Sequence, residues 1–138
     1  ADRAMDMGQA MIVAGLGCRR GVTAEDILAG LTAGMAKAGL SGKLPDMLAT
    51  GTMKRDERAI GEAGARIERT VVLVDGPALA AVEPALVTRS AASRKASGSS
   101  SLAEAAALAA AGPGAKLLAP RTIFGAVTCA VAQAGGQP

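Results

Sequence analysis

The 138-residue sequence predicts an α/β fold: a three-layer α/β/α sandwich around a mixed, mostly parallel sheet of about five strands, finished by a C-terminal hairpin. Three observations predict it. Short apolar or β-branched runs alternate with segments of helical period, caps and breakers fall between them, and the last two apolar runs flank a short turn. Residues 1–138 fit a single domain, since domains commonly run to about 100–150 residues around one core. The terminal strand is expected to supply an antiparallel edge.

Residues 11–15 (Met11 to Gly15) favour a short buried strand, and not a secretory leader: the apolar run is short and Asp2 and Asp6 oppose Arg3 upstream. Thr23 is suited to cap a first helix, with Glu25 and Asp26 complementing its dipole, and Ile27, Leu31 and Met35 recur at steps of four. Gly39 fits the left-handed stop. Leu44 to Thr50 reads as a second strand with Pro45 near its start, and Asp56 to Ala65 as a second helix weakened by Gly61 and Gly64. Thr70 to Val74 is the strongest strand, β-branched and continuous enough to be covered on both faces. Pro77 opens a short helix through Val82. Thr88 to Ser101 lacks a hydrophobic period and reads as a mobile loop. Ser101 and Glu104 form a capping box for an alanine-rich helix ending at Gly112. Strands over 116–119 and within 126–132, with a turn at Pro120-Arg121, make the hairpin.

Composition removes several chemistries. Half the residues are apolar, mostly alanine, while Phe124 is the single aromatic and there is no histidine. Imidazole is therefore excluded as general base, metal ligand or pH switch. A net charge of +3 without aromatic stacking platforms argues against nucleic acid. No run approaches the roughly 18 apolar residues of a membrane span. Cys18 and Cys129 make neither a disulfide framework nor a zinc spacing, so a reducing cytosol is the expected compartment. Neither a metal nor a cofactor is expected.

The most informative stretch is Gly15-Leu16-Gly17-Cys18-Arg19-Arg20-Gly21. Read as a glycine-rich turn opening a helix, it is an anion-binding loop: glycines admit a ligand to the backbone, and guanidinium forks suit carboxylate or phosphate. Lys54 and Arg55 follow the second strand in the same way, and both clusters should gather beyond the carboxyl ends of the strands, with Lys95 a further candidate. Cys18 among arginines is either a nucleophile with a lowered pKa or, the favoured alternative, a small packed thiol. Ser97 to Ser101 is either an anion-binding nest or a linker.

Four ordered motifs carry a resemblance. They are the Gly15 to Gly21 stretch; Lys54 with Asp56-Glu57; Ser101-Leu102-Ala103-Glu104-Ala105-Ala106-Ala107-Leu108; and Pro120-Arg121 followed by Ala126-Val127-Thr128. Together they resemble the cobalamin-biosynthesis family that comprises the C-terminal domain of CbiG and the stand-alone CobE. The resemblance implies a place in corrin-ring synthesis, where CbiG opens a lactone on a cobalt-precorrin and releases acetaldehyde. It implies a precorrin or corrinic acid ligand, other cobalamin-pathway enzymes as partners, and Ser101 and Arg121 as additions to the ligand-binding set. That set is then Gly15, Gly17, Cys18, Arg19, Arg20, Gly21, Lys54, Arg55, Ser101 and Arg121.

A non-catalytic binder or carrier of a polycarboxylate tetrapyrrole is the expected function, because the sequence offers positioning groups and no catalytic dyad. The alternative within the pathway is a lactone hydrolase, for which Asp56 and Glu57 are the carboxylates nearest the site. From another class comes an NADP-binding Rossmann-like oxidoreductase, with Gly15, Gly17 and Gly21 as its pyrophosphate loop and Lys54 and Arg55 on the 2′-phosphate.

Overall fold

A computed structural model describes residues 11–55 and 57–135. The expectations for residues 1–10, including Asp2, Arg3 and Asp6, and for Asp56 lie outside the described residues.

Five strands form one sheet: β1 (Ile12–Cys18), β2 (Met47–Gly51), β3 (Val71–Val74), β4 (Lys116–Phe124) and β5 (Val127–Gln133). Their order is β3-β2-β1-β5-β4, with β1, β2 and β3 mutually parallel and β5 antiparallel to both β1 and β4. Helices α1 (Ala24–Lys37) and α2 (Arg58–Ile67) cover one face. Helices α3 (Gly76–Ala81) and α5 (Leu102–Ala111) cover the other, and α4 (Ala91–Ser97) rests on α5. This is the three-layer sandwich with a C-terminal hairpin.

Local chemistry explains the elements. The Thr23 hydroxyl accepts from the Asp26 amide at 3.1 Å while the Asp26 carboxylate accepts from the Thr23 amide at 3.0 Å, a reciprocal cap that opens α1. From there Ile27, Leu31 and Met35 turn inward onto Leu16, Leu48 and Ile60. Burial of side chains of that size contributes about 1.5–3 kcal/mol each. The opposite layer is built differently. Helix α5 is alanine at seven of its ten positions and buried along its first two turns, so its backbone settles directly on β1. The contact is so close that a Cβ at Gly15 would lie 2.7 Å from the Ala107 nitrogen.

Five expectations need correction. Strand β1 runs through Gly15, Leu16 and Gly17 to Cys18, so neither glycine belongs to a turn: Gly15 makes room for α5, and Gly17 lies against the Thr128 side chain of β5. Strand β3 is an edge strand, with Leu73 partly open to solvent, because no further strand follows β3 in the order. Strand β5 lies inside the sheet and β4 takes the edge; Val127 and Cys129 to Ala132 along β5 are buried on both sides. Within 88–101 the chain forms α4, capped by the Ser90 hydroxyl accepting from the Ser93 amide. Pro120 and Arg121 sit inside β4, where two register shifts against β5 mark bulges. An edge strand tolerates proline there because its missing N–H leaves no ladder bond broken, and the turn falls instead at Gly125-Ala126.

Candidate functional site

Past the pair Gly15↔Ala49 the parallel ladder between β1 and β2 ends, and side chains take over the carbonyls of β1. The buried Thr50 hydroxyl donates to the Leu16 carbonyl at 2.7 Å, and Lys54 Nζ donates to the Cys18 carbonyl at 2.6 Å. The strands part there, and a cleft of about 730 Å³ opens beyond their carboxyl ends, within the usual size of a small-molecule site. Its floor is Gly17, Cys18 and Thr128; its far wall is the α4 face bearing Ser90, Ser93 and Ser97; and β4 contributes Arg121 and Ile123.

The cations converge in part. Arg19 and Arg20 follow β1 in an exposed turn completed by Gly21, whose φ of 82° is the left-handed conformation that leads into α1. Arg19, Arg20, Lys54 and Arg121 all line the cleft. No carboxylate lines it among the described residues. Apolar surface lies beside the charge: Met53 is 44% and Ile123 62% exposed, and Leu102 forms the base.

The other predicted positions fall elsewhere. Gly15 is sealed beneath α5, Arg55 and Lys95 are exposed off the cleft, and Ser101 is buried as the cap of α5. Gly21 shapes the turn without lining the cleft. The serine run is neither nest nor linker, since its donors are consumed internally. Glu83 accepts from the Ser100 amide at 3.2 Å, from the Ser99 hydroxyl at 3.3 Å, from the Ser100 hydroxyl and from Arg94 at 3.1 Å. The Ser100 hydroxyl bond outweighs burial and, with the Ser100 amide and Arg94, holds the Glu83 carboxyl below its ordinary range.

The Ser101 to Glu104 capping box is only half made. Ser101 Oγ accepts from the Glu104 amide at 3.3 Å, but the Glu104 carboxylate turns away from the cap. Fully buried, it accepts from the Val87 amide at 2.8 Å, from the Thr88 amide at 3.0 Å and hydroxyl at 2.6 Å, and from the Arg121 amide at 2.8 Å. Burial opposes its charge, yet these bonds prevail and hold the carboxyl below the ordinary value.

Cys18 is not an activated thiolate. Partial burial pushes its thiol up, more than the nearby Lys54 charge pulls it down, and Glu57 adds to the rise. Burial pushes Cys129 to about 12. No cluster of three His, Cys, Asp or Glu side chains suited to a metal occurs among the described residues, and no described helix is long and apolar enough to cross a membrane. The dinucleotide alternative loses its motif, because Gly15 and Gly17 are strand residues. Sequence reasoning missed Met53, Ile123 and the α4 wall; the signal present was the pair Ser90 and Ser93 at capping distance.

The profile of the family described as cobalamin synthesis G C-terminus matches residues 12–132. Among solved structures, CobE, a protein from the cobalamin (vitamin B12) biosynthetic pathway, is 35% identical with a TM-score of 0.85 over 94% of both chains. The cobalamin biosynthesis protein chiG from Agrobacterium tumefaciens is 42% identical with a TM-score of 0.71, over 89% of this chain and 98% of that one. A chain assigned as a cobalamin biosynthesis protein G homologue from Sulfolobus solfataricus is 22% identical with a TM-score of 0.66, over 93% of this chain and 38% of its own, which speaks for the fold alone. A comparison with curated proteins gave no match. The profile match runs from the start of β1 into β5 and the two closer structural matches cover 94% and 89% of the chain, and the chain belongs to the CobE/CbiG C-terminal family of cobalamin-biosynthesis proteins.

Proposed function

We propose that the protein, acting as a single unit in the reducing cytosol, binds a polycarboxylate precorrin or corrinic acid in this cleft. It holds the intermediate, or passes it to another enzyme of the pathway, without breaking a bond in it. The observation that carries this reading is a cleft lined by Arg19, Arg20, Lys54 and Arg121, by apolar Met53 and Ile123, and by no described carboxylate. A precorrin is an apolar macrocycle fringed with acetate and propionate groups, and it needs both kinds of surface.

Magnitudes require the two together. An exposed ion pair contributes roughly 0.2–1 kcal/mol, so the cations alone give weak retention. Removing ring surface from water at about 25 cal/mol per Å² adds a comparable or larger share. Catalysis lacks comparable support, because the chain has no histidine and burial raises the Cys18 thiol instead of activating it.

The test is to mix the purified protein with a lactone-bearing precorrin and, separately, with a corrinic acid, following the tetrapyrrole spectrum and acetaldehyde. A stoichiometric spectral shift without acetaldehyde is expected. Multiple turnovers with acetaldehyde release would establish the lactone hydrolase instead, and an unchanged spectrum with both compounds would remove the binding reading.

A further inference from the structure

The cleft is walled by two segments that are anchored separately, the first on Glu83 and α5 and the second on β5. One is the 87–97 stretch with the short helix α4; the other is the bulged edge strand β4. Apart from the floor beneath them, one side chain ties both together. Glu104, fully buried on α5, accepts at Oε1 from the amides of Val87 and Thr88, and at Oε2 from the Thr88 hydroxyl and the Arg121 amide. The bulge at Pro120-Arg121 is what frees the Arg121 N–H from the β4–β5 ladder for that bond.

We propose that Glu104 is the positioning residue of the cleft, its carboxylate holding the backbone of Arg121, a residue that lines the cleft, and the α4 wall at the separation a polycarboxylate ligand requires. The inference rests on the cleft being the binding site. Glu104 itself does not line the cleft, so it acts through Arg121 and through Thr88, which leads into Ser90 at the start of the wall. Four donors point at one side chain, and only a carboxylate accepts from all of them. An amide in its place offers one oxygen and one NH₂ group, and the NH₂ faces a donor at whichever wall it meets. The Thr88 hydroxyl can turn and accept, whereas the Arg121 N–H cannot, so the amide settles on the α4 side and releases β4.

The experiment compares wild type, Glu104→Gln, Arg121→Ala and the double variant, titrating each with a corrinic acid whose acetate and propionate groups are free. Amide hydrogen exchange at Val87, Thr88 and Arg121 is read in parallel. Glu104→Gln is expected to weaken binding about tenfold, as loss of a hydrogen bond to a charged group does. It should also quicken exchange at Arg121 above all. In the Arg121→Ala background it should add little, since the two act as one unit. A merely structural glutamate would instead lower stability and leave the two binding losses additive, which would overturn the proposal. So would unchanged affinity in Glu104→Gln while wild type binds. Failure of wild type to bind would remove the function and the inference together. If Glu104→Gln does not fold, Thr88→Val, which deletes one hydroxyl donor to the same carboxylate, is expected to weaken binding a few-fold, and unaltered binding there would refute the proposal.

Discussion

Gly15→Ala separates the two uses a glycine can have at the head of this sequence. If Gly15 belonged to a ligand-binding loop, a methyl group there would reduce affinity and spare the fold. The structure requires the reverse. The new Cβ would lie 2.7 Å from the Ala107 nitrogen and nearer still to the Ala103 carbonyl oxygen, both backbone atoms of α5. Carbon and oxygen normally approach no closer than about 3.3 Å, so α5 must retreat by roughly 1 Å along its most buried turn. Overpacking of this kind typically costs about 1–3 kcal/mol, and the upper end applies because no side chain can swing aside. For a chain of this length each kcal/mol lowers Tm by roughly 3–5 °C, so a fall of about 10 °C or more is expected. Far-UV circular dichroism is the suitable probe, since the protein has neither tryptophan nor tyrosine. Gly61→Ala on α2 is the control: a Cβ there would meet nothing within 4 Å, and the exchange should stabilise by about 0.5–1 kcal/mol. A Gly15→Ala protein within about 0.5 kcal/mol of wild type would refute the close approach of α5 to β1.

Replacing Arg19 and Arg20 together by alanine should weaken retention of a corrinic acid by roughly 2- to 30-fold, with Tm within a degree or two of wild type, because both are exposed turn residues; spectral titration and thermal melts check this. Glu83 has a folded pKa depressed below its ordinary 4.5, so its contribution is complete above that pH and is lost as pH falls through the lower folded value. Denaturant titrations from pH 6 to pH 3 should therefore show wild type losing stability more steeply than Glu83→Gln. The Cys18 thiol, raised by burial, should alkylate more slowly near neutral pH than a free cysteine, and Cys129 only on unfolding, as mass spectrometry after timed iodoacetamide exposure would show.

Much of the fold was legible because its elements carry their own signals. Helix α1 announces itself through Thr23, Asp26 and the stripe Ile27, Leu31, Met35, and Gly39 takes the left-handed conformation just past the helix end. What failed to show depends on distant partners. A glycine that bends the chain and one that makes room for a neighbour look alike locally, and the neighbour of Gly15 is a helix some ninety residues later. Helix α4 has no apolar period; it is pinned by Glu83 and its serines, a set assembled only in three dimensions. Pro120 signals a turn in isolation and a bulge once β4 is the edge. At the site, Arg19, Arg20 and Lys54 were legible as charges after strand ends and Arg121 only through the family resemblance, whereas Met53 and Ile123 look like ordinary core residues until the strands part.

The placement of β5 between β1 and β4 has a consequence for how the molecule comes into being. The register Ile12↔Gln133 to Cys18↔Val127 joins the first described strand to the last. During synthesis β1, β2 and β3 can align early, but the open flank of β1 waits for the final strand to emerge, and so high a contact order slows closure. Throughout that interval the nascent chain presents an unpaired rim to other chains, the circumstance in which chaperones are recruited. A chain cut short ahead of β5 would be left with a three-stranded sheet and a lone β4, both with adhesive borders, and aggregation would be its fate.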